Sequence, residues 1–590
     1  MSKTTRSIAE AVSEYITPLN DARIVSLVAG FKTFTRANDE IRQLTGIRNF
    51  FDNAKTFDEF QTLLRTPARL AGAHQTREWG DFQTPPDLAM RVCEYLAQTG
   101  VAPNVIVEPT FGVGSFISSS LRAFPQVELV YGVEIQQKHF WHHKIALLIK
   151  ALLLGRARAE IELHRDDVFA HRFSPTVLNA SRVLVIGNPP WVTNAELGSL
   201  QSANLPAKQN FKALNGIDAI TGKSNFDLGE FIILRMLDLF SNGNNVLAML
   251  CKNSVIKNLV EFLPTQNYRV ANIRALRFDA KREFNVSVQA SLLVMELGRA
   301  HSQYTCAVAA LAEPNAIEKT FGWTNGKFVA DVTAYASNAR LDGRSPFEWR
   351  QGIKHDCSTV MELEPKNAHW VNKNDETVHV EDEHVYWLLK SSDLRGFIAA
   401  SPRRKIIVTQ RKPGEDTSVF AQSAPRLWKY LQAHKNYFDA RKSSIYRGKP
   451  PFSIFGIGDY SFKLFKVAIS GLYKEPIFSL VLPIQGRPVM LDDTCYLLGF
   501  DTYQDALLTA SLLNSPAVKN FLQSIVFADA KRPYTKDALM RIDLVQAASA
   551  LSLKKLREAW RATNFESQEA ISQTDIVGYC SMLKRNAFDL

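Results

Sequence analysis

Between residues 80 and 300 the chain alternates short β-branched apolar runs with amphipathic stretches of helical period. The runs fall at 105–108, 129–134, 161–164, 183–187, 246–250, 273–278 and 291–297, and the helical stretches near 115–124, 137–153 and 226–240. Strands that are apolar on both faces and separated by helices predict a largely parallel sheet covered on both sides, an α/β fold. Before this region, residues 1–75 read mostly as helix: Ile8, Val12, Tyr15 and Ile16 recur at helical spacing, followed by Ile24, Val28 and Phe31. After residue 300 the pattern becomes irregular and rich in glycine, proline and aromatic residues, as at Pro450, Pro451, Gly456, Gly458 and Gly471. The expected organisation is a helical segment over 1–78, an α/β domain over 79–300, a connection over 301–340 and an α+β domain over 341–590.

A length of 590 residues allows two to four such domains. With 46% hydrophobic and 22% charged residues, the composition is that of a folded globular chain and excludes a disordered or collagen-like one. Six cysteines without Cys-x-x-Cys or Cys/His spacing argue against a zinc site and for a reducing compartment. The longest apolar run is interrupted by Lys150 and is too short to span a bilayer, and the first residues lack a signal-peptide core. A cytoplasmic protein without a membrane partner is expected.

Charge adds a location. The net charge is +11, and residues 401–450 hold 12 Lys+Arg against 3 Asp+Glu, a net +9. Trp428, Tyr430, Tyr437, Phe438 and Tyr446 are interleaved with those cations, a composition suited to gripping phosphates and stacking on bases, though a solvated helix face and a basic loop would look the same.

Two motifs carry candidate chemistry. The first runs from the strand at 105–108 through Glu108, Pro109, Thr110, Gly112 and Gly114 into a helix, a glycine turn that lets a ligand approach the backbone closely. About twenty residues on, Glu134 ends the second strand, where a carboxylate can accept both ribose hydroxyls. Asp166 or Asp167 ends the third, where one could accept from an adenine amino group. An adenosine-containing cofactor is implied. Glu108 would repel a pyrophosphate and suits a cationic ligand such as S-adenosylmethionine. The second motif, Asn188-Pro189-Pro190-Trp191, ends the strand at 183–187. Its prolines fix the backbone, so that the Asn188 side-chain oxygen and the Pro189 carbonyl can each accept one N–H of an aromatic amine. That localises the nitrogen lone pair for attack on a methyl group, with Trp191 stacking on the base.

In this order the motifs resemble those of the amino-group DNA methyltransferases, in the gamma arrangement of adenine-N6 enzymes typified by the TaqI-like methyltransferases. The resemblance is good over 80–300 and looser over 345–590. It implies a Rossmann-like, S-adenosylmethionine-dependent methyltransferase domain followed by a C-terminal DNA-recognition domain. By the family pattern Gln83 and Thr84 pack against the methionine part of the cofactor. Glu108, Pro109, Thr110, Gly112 and Gly114 form its loop, Glu134 and Ile135 hold ribose and adenine, and Asp166 or Asp167 meets the adenine amino group. Asn188, Pro189, Pro190 and Trp191 match the catalytic motif, and Phe284 matches the aromatic residue that sandwiches the flipped base against Trp191. Trp191 stands where Tyr or Phe is more frequent, and Thr110 where a small residue is usual. Trp349–Ile353 and Tyr386–Leu394 resemble phrases of the TaqI-like specificity region. Arg403, Arg404, Lys405, Arg411, Lys412, Arg447, Lys449, Lys531 and Arg532 are the expected DNA contacts.

The implied activity is site-specific methylation of adenine N6 in double-stranded DNA, with base flipping, in a restriction–modification or related defence system. A cognate restriction endonuclease would then be a partner. An RNA or protein-glutamine methyltransferase stays open, since the same motif serves there, as does a DNA-binding specificity subunit. Cytosine-N4 methylation usually goes with Ser in place of Asn188.

Overall fold

The computed structural model describes residues 30–65, 82–156, 158–192, 227–266, 268–299, 304–548 and 572–589, with the single positions 27 and 554. The periodic positions Ile8, Val12, Tyr15, Ile16, Ile24 and Val28 lie outside the described residues. The chain divides into two compact units, Met1–Phe328 and Val329–Leu590.

The first unit is built on one eleven-stranded sheet. Its strands in chain order are β1 (Ile47–Arg48), β2 (Val105–Glu108), β3 (Leu129–Val133), β4 (Glu160–His164), β5 (Val183–Gly187), β6 (Val246–Lys252), β7 (Val270–Phe278), β8 (Ala290–Leu297), β9 (Thr305–Ala310), β10 (Lys319–Thr324) and β11 (Lys327–Val329). They lie in the order β1-β4-β3-β2-β5-β6-β8-β7-β9-β10-β11. The segment β1-β4-β3-β2-β5-β6 is parallel throughout, and every residue of β2, β3 and β5 is buried, as a sheet covered on both faces requires. β8 runs antiparallel to both β6 and β7, and β7 carries an irregularity between Ala271 and Arg274. This is a Rossmann-like α/β architecture, as expected.

Beyond the seven expected strands the sheet is extended at both ends. β1 is two residues long, too short for any periodicity, and joins β4 through Ile47 opposite Ile161. β9 pairs parallel to β7 and β10 antiparallel to β9, so much of the stretch read as a connection over 301–340 completes the sheet.

Helices α1 (Phe34–Thr45) and α2 (Ala54–Arg65) precede the main strands. Then come α3 (Pro86–Gln98), α4 (Ser115–Ala123), α5 (Gln137–Leu154), α6 (Leu228–Phe240) and α7 (Asn253–Phe262). Residues 139–145 of α5 are buried without interruption, so this helix has no solvent face there. The N-terminal segment covers it: Phe50, Phe51 and Phe60 surround Trp141 with ring centroids 6.0–6.4 Å away. Lys144 points into the same cluster, donating to the carbonyls of Asn49 (3.2 Å) and Phe50 (3.0 Å), with its ammonium 4.1 Å from the Phe140 ring centroid.

The second unit holds two small sheets. Its strands are β12 (Arg350–Gln351), β13 (Glu362–Lys366), β14 (His369–Val371), β15 (Val385–Leu389), β16 (Arg404–Ile407), β17 (Phe465–Ser470), β18 (Phe478–Val481), β19 (Met490–Leu491) and β20 (Cys495–Phe500). One sheet has the order β12-β20-β17-β18, the other β14-β13-β16-β15-β19. Helical segments at Tyr503–Leu513, Pro516–Ile525 and Gln573–Asp589 contribute Leu507, Leu508, Phe521, Tyr579 and Leu583 to the core that includes Val467 and Leu480. The mixture is α+β, and its irregular sequence reflects short strands with long connections.

Candidate active site

Strand order reverses between β2 and β5, which lie side by side with Val105 opposite Val183 and Val107 opposite Val185. In open α/β sheets the crevice at the carboxyl ends of such strands is where ligands bind. The topology brings both sequence motifs to this one edge. The two motifs lie side by side at Gly187, where a Cβ would be in ordinary van der Waals contact with Glu108 Cγ (3.5 Å) and Pro109 Cδ (3.7 Å).

The loop after β2 is shaped by two glycines at positive φ. Gly112 (φ +52°) sits against Gln83, where a Cβ would fall 2.3 Å from the amide oxygen, and Gly114 (φ +78°) sits against His143, where a Cβ would fall 1.9 Å from Nδ1. The Gln83 oxygen accepts the Val113 N–H at 2.9 Å, and its amide nitrogen lies 3.2 Å from His139 Nε2. The Thr84 carbonyl accepts the Ser115 hydroxyl at 2.6 Å. Gln83 and Thr84 therefore brace the glycine loop from the outside.

Three acidic positions follow. Glu108 is buried, and its carboxylate accepts the Ile117 N–H at 3.1 Å in the first turn of α4. Burial first, and then the neighbouring Glu134, push its pKa well above the usual carboxylate range. Glu134 accepts the N–H of Gly112 at 2.8 Å and of Gln136 at 2.7 Å, so it braces the loop as well as bordering the edge. Ile135 beside it is an exposed large aliphatic side chain, 46% accessible, at the place expected to support adenine. Of the two aspartates, Asp166 is occupied: one oxygen accepts its neighbour's N–H at 2.8 Å and the other meets His171 Nδ1 at 2.9 Å. Asp167 accepts the Phe169 N–H at 2.9 Å through one oxygen.

At the end of β5 the turn Asn188–Trp191 is held by its own side chains. Asn188 donates its amide N–H to the Phe82 carbonyl at 2.9 Å, which aims the other end of the group. That oxygen, Oδ1, is buried and meets no donor. The Thr110 hydroxyl is also buried without a partner. A buried acceptor left unpaired costs about 1–3 kcal/mol, so these atoms mark a place prepared for a ligand's N–H or O–H groups. Together with the buried carboxyl of Glu108, these acceptors fit a cationic ligand that carries N–H or O–H groups.

Trp191 is buried, donates its indole N–H to the Leu250 carbonyl at 3.3 Å, and packs edge-to-face on Phe284 with centroids 5.1 Å apart. Phe82 touches both rings, at 5.8 Å and 6.2 Å. Phe284 ends the short helix α8 (Ala280–Phe284), which Asn285 terminates at φ +57°. The two rings thus meet in this structure; a base between them requires a gap of about 7 Å, two contact distances.

No family model matches the chain. It is 38% identical over 476 residues to the type II methyltransferase M.NspV of Nostoc sp. (strain ATCC 29411 / PCC 7524), covering 80% of this chain and 98% of that protein. The chain belongs to the type II methyltransferase family. Among solved structures, the type IIL restriction-modification enzyme MmeI in complex with DNA aligns with a TM-score of 0.49 at 10% identity, covering 85% of this chain and 72% of that one. The type IIG restriction endonuclease BpuSI aligns with a TM-score of 0.36 at 12% identity, covering 99% and 76%.

In the second unit of this type II methyltransferase the nine expected DNA-binding residues differ in what they touch. Arg403, Arg411, Lys412, Arg447, Lys449 and Lys531 are exposed. Arg411 lies over the Phe462 ring at 4.0 Å. Lys405 is held between two indoles, 4.4 Å from Trp370 and 4.9 Å from Trp387. Arg404 faces Glu364 at 4.0 Å, and Arg532 donates to the Asp493 carbonyl at 3.1 Å. These last three are built into the domain.

His139, His143, Asp227 and Lys252 of the methyltransferase emerge only from the structure. A run such as His139-Phe-Trp-His-His143 carries helical spacing, but nothing in it says that a glycine loop lies one side chain away.

Proposed function

We propose that this type II methyltransferase methylates N6 of adenine in double-stranded DNA, using S-adenosylmethionine, at sites chosen by its second unit and as part of a restriction–modification system. The observation that carries this reading is Asn188: its amide is clamped by the Phe82 carbonyl, leaving Oδ1 buried, unpaired and beside Trp191. S-adenosylmethionine supplies an electrophilic methyl group on a sulfonium. The carboxylate of Glu108 is the anion suited to its positive charge. Asp167, with the carboxylate oxygen that does not take the Phe169 N–H, is favoured over Asp166 as the acceptor for the cofactor's adenine amino group.

The target amino group is a weak nucleophile because its lone pair is delocalised into the ring. Asn188 Oδ1 and the Pro189 carbonyl accept its two N–H groups and draw the nitrogen toward tetrahedral geometry, the fixed-dipole form of transition-state stabilisation. The base reaches the pocket by flipping out of the duplex. Trp191 and Phe284 then part and take it between them, which returns about 1–3 kcal/mol per stacked face against the unpairing cost. The exposed cations of the second unit grip phosphates. The test is methyl-sensitive sequencing and nucleoside digestion of DNA treated with the protein and S-adenosylmethionine. N6-methyladenine at one sequence context is expected; N4-methylcytosine, or no modified base, would overturn the reading.

A further inference from the structure

The turn Asn188–Trp191 is fixed on one side by Phe82 and Leu250. Its other side is fixed through a charge pair. The described chain passes from Val192 to Asp227, and the Leu228 N–H donates to the Val192 carbonyl at 2.9 Å, so the start of α6 is laced to the end of the motif. Gly229 faces the prolines: a Cβ there would stand 3.3 Å from the Pro190 oxygen and 3.5 Å from Pro189 Cγ.

Asp227 caps this helix, accepting the Gly229 N–H at 3.0 Å through Oδ1. Through Oδ2 it accepts from Lys252 Nζ at 2.8 Å. Lys252 is the last residue of β6 and stands two positions beyond Leu250, whose carbonyl holds the Trp191 indole. The ion pair is largely buried, with 10% of the aspartate and 18% of the lysine side chain accessible. It therefore joins the two elements that flank the turn. A buried pair of this kind gives little net stability over an apolar pair, because desolvation offsets the attraction, but it fixes geometry.

We infer that Asp227 and Lys252 are positioning residues for methyl transfer: their ion pair clasps α6 to β6 and so sets the Asn188 oxygen, the Pro189 carbonyl and the Trp191 plane. This rests on the reading of Asn188–Trp191 as the catalytic turn. Neither residue needs to touch substrate. Loss of the clasp shifts the acceptors by fractions of an ångström, which slows the chemical step while leaving the cofactor loop at β2 intact.

The experiment is single-turnover methylation of a duplex carrying the site found by product sequencing, with tritiated S-adenosylmethionine, alongside dissociation constants for cofactor and duplex. Asp227→Asn and Lys252→Met are each expected to slow the chemical step by about 10–100-fold, with both dissociation constants within about threefold of wild type. Lys252→Arg restores most of the rate. The double variant Asp227→Asn/Lys252→Met leaves no unpaired buried charge, so it folds even if a single variant does not. It is expected to be no slower than the worse single. Wild-type rate in the double variant, additive losses, or a loss that tracks cofactor affinity would each overturn the inference. Asn188→Ala, run in parallel, separates the two readings. Full activity there removes the catalytic turn itself, whereas a dead Asn188→Ala beside unaffected clasp variants removes only the clasp.

Discussion

In the proposed reading, Asn188 concentrates the chemistry in one atom. Its side chain is spent on one side as a donor to Phe82 and is unspent on the other, so a substitution that keeps the fold removes an acceptor aimed into the site. Asn188→Ala is expected to lower the methylation rate by about 10²–10³-fold with cofactor affinity unchanged, checked by single-turnover rate against equilibrium binding. In the same reading, Glu108 acts through its charge instead. Its carboxyl is buried, and its pKa is raised by that burial and by Glu134. A cationic ligand binds the ionised form, so binding releases a proton from the fraction still protonated. Cofactor affinity should therefore fall as pH drops through the raised pKa, beginning at less acidic pH than an exposed carboxylate would give, and Glu108→Gln should flatten that dependence and weaken binding. Calorimetry in buffers of differing ionisation enthalpy measures both. Gly114→Ala combines a left-handed backbone with a Cβ driven into His143. It should abolish cofactor binding, and His143→Ala in the same chain should recover only part of it, because the backbone strain stays.

Among the elements, α5 shows how the N-terminal segment is tied to the sheet. Lys144 is wholly buried, and burial lowers its pKa to about 8. In the unfolded chain a lysine titrates near 10.4. Between those values the unfolded state binds more protons than the folded one, so stability rises with pH across roughly 8 to 10.4. The full penalty, on the order of 3 kcal/mol, persists below the lower value. Urea unfolding monitored by tryptophan fluorescence should show the midpoint increasing over that window in the wild type, and Lys144→Met should remove the part this lysine supplies, leaving the part from Lys466, whose pKa burial lowers to about 7. Lys144 acts through the carbonyls of Asn49 and Phe50, which lie in the segment between β1 and α2, so the effect is one of docking between elements.

On the scale of the whole molecule, the densest run of positive charge, the net +9 of residues 401–450, falls in the unit that does not carry the methyl-transfer motifs. Arg403, Lys412, Arg447, Lys449 and Lys531 are exposed there, whereas Arg404, Lys405 and Arg532 are engaged within the domain. Neutralising the five exposed residues should weaken DNA binding and lower the slope of log affinity against log salt by up to about 0.9 for each phosphate that is no longer neutralised. Neutralising the three engaged ones should instead lower thermal stability. Fluorescence anisotropy over a salt series, paired with thermal melts, distinguishes the two sets.

The seven strands from 105 to 297 and three of the helices between them, α4, α5 and α6, were legible because each was a long enough apolar or amphipathic run to show its period, whereas α7 was not expected. Two-residue β1 and three-residue β11 were not, being too short to show a period, and six-residue β9 and β10 were not, since their sequences, TCAVAA and KTFGWT, carry no β-branched apolar run. At the site, the types and order of Glu108, Gly112, Gly114, Glu134 and Asn188-Pro189-Pro190-Trp191 stand in the sequence, because local backbone geometry dictates glycine and proline directly. What only the tertiary structure decided is how those residues are used. It placed β2 beside β5, left Asn188 Oδ1 unpaired, engaged Asp166 with His171, set Trp191 against Phe284, and joined Asp227 to Lys252 across 25 residues of chain. Such pairings depend on long-range packing, where residue identity limits which pairs can form and the fold selects the ones that do.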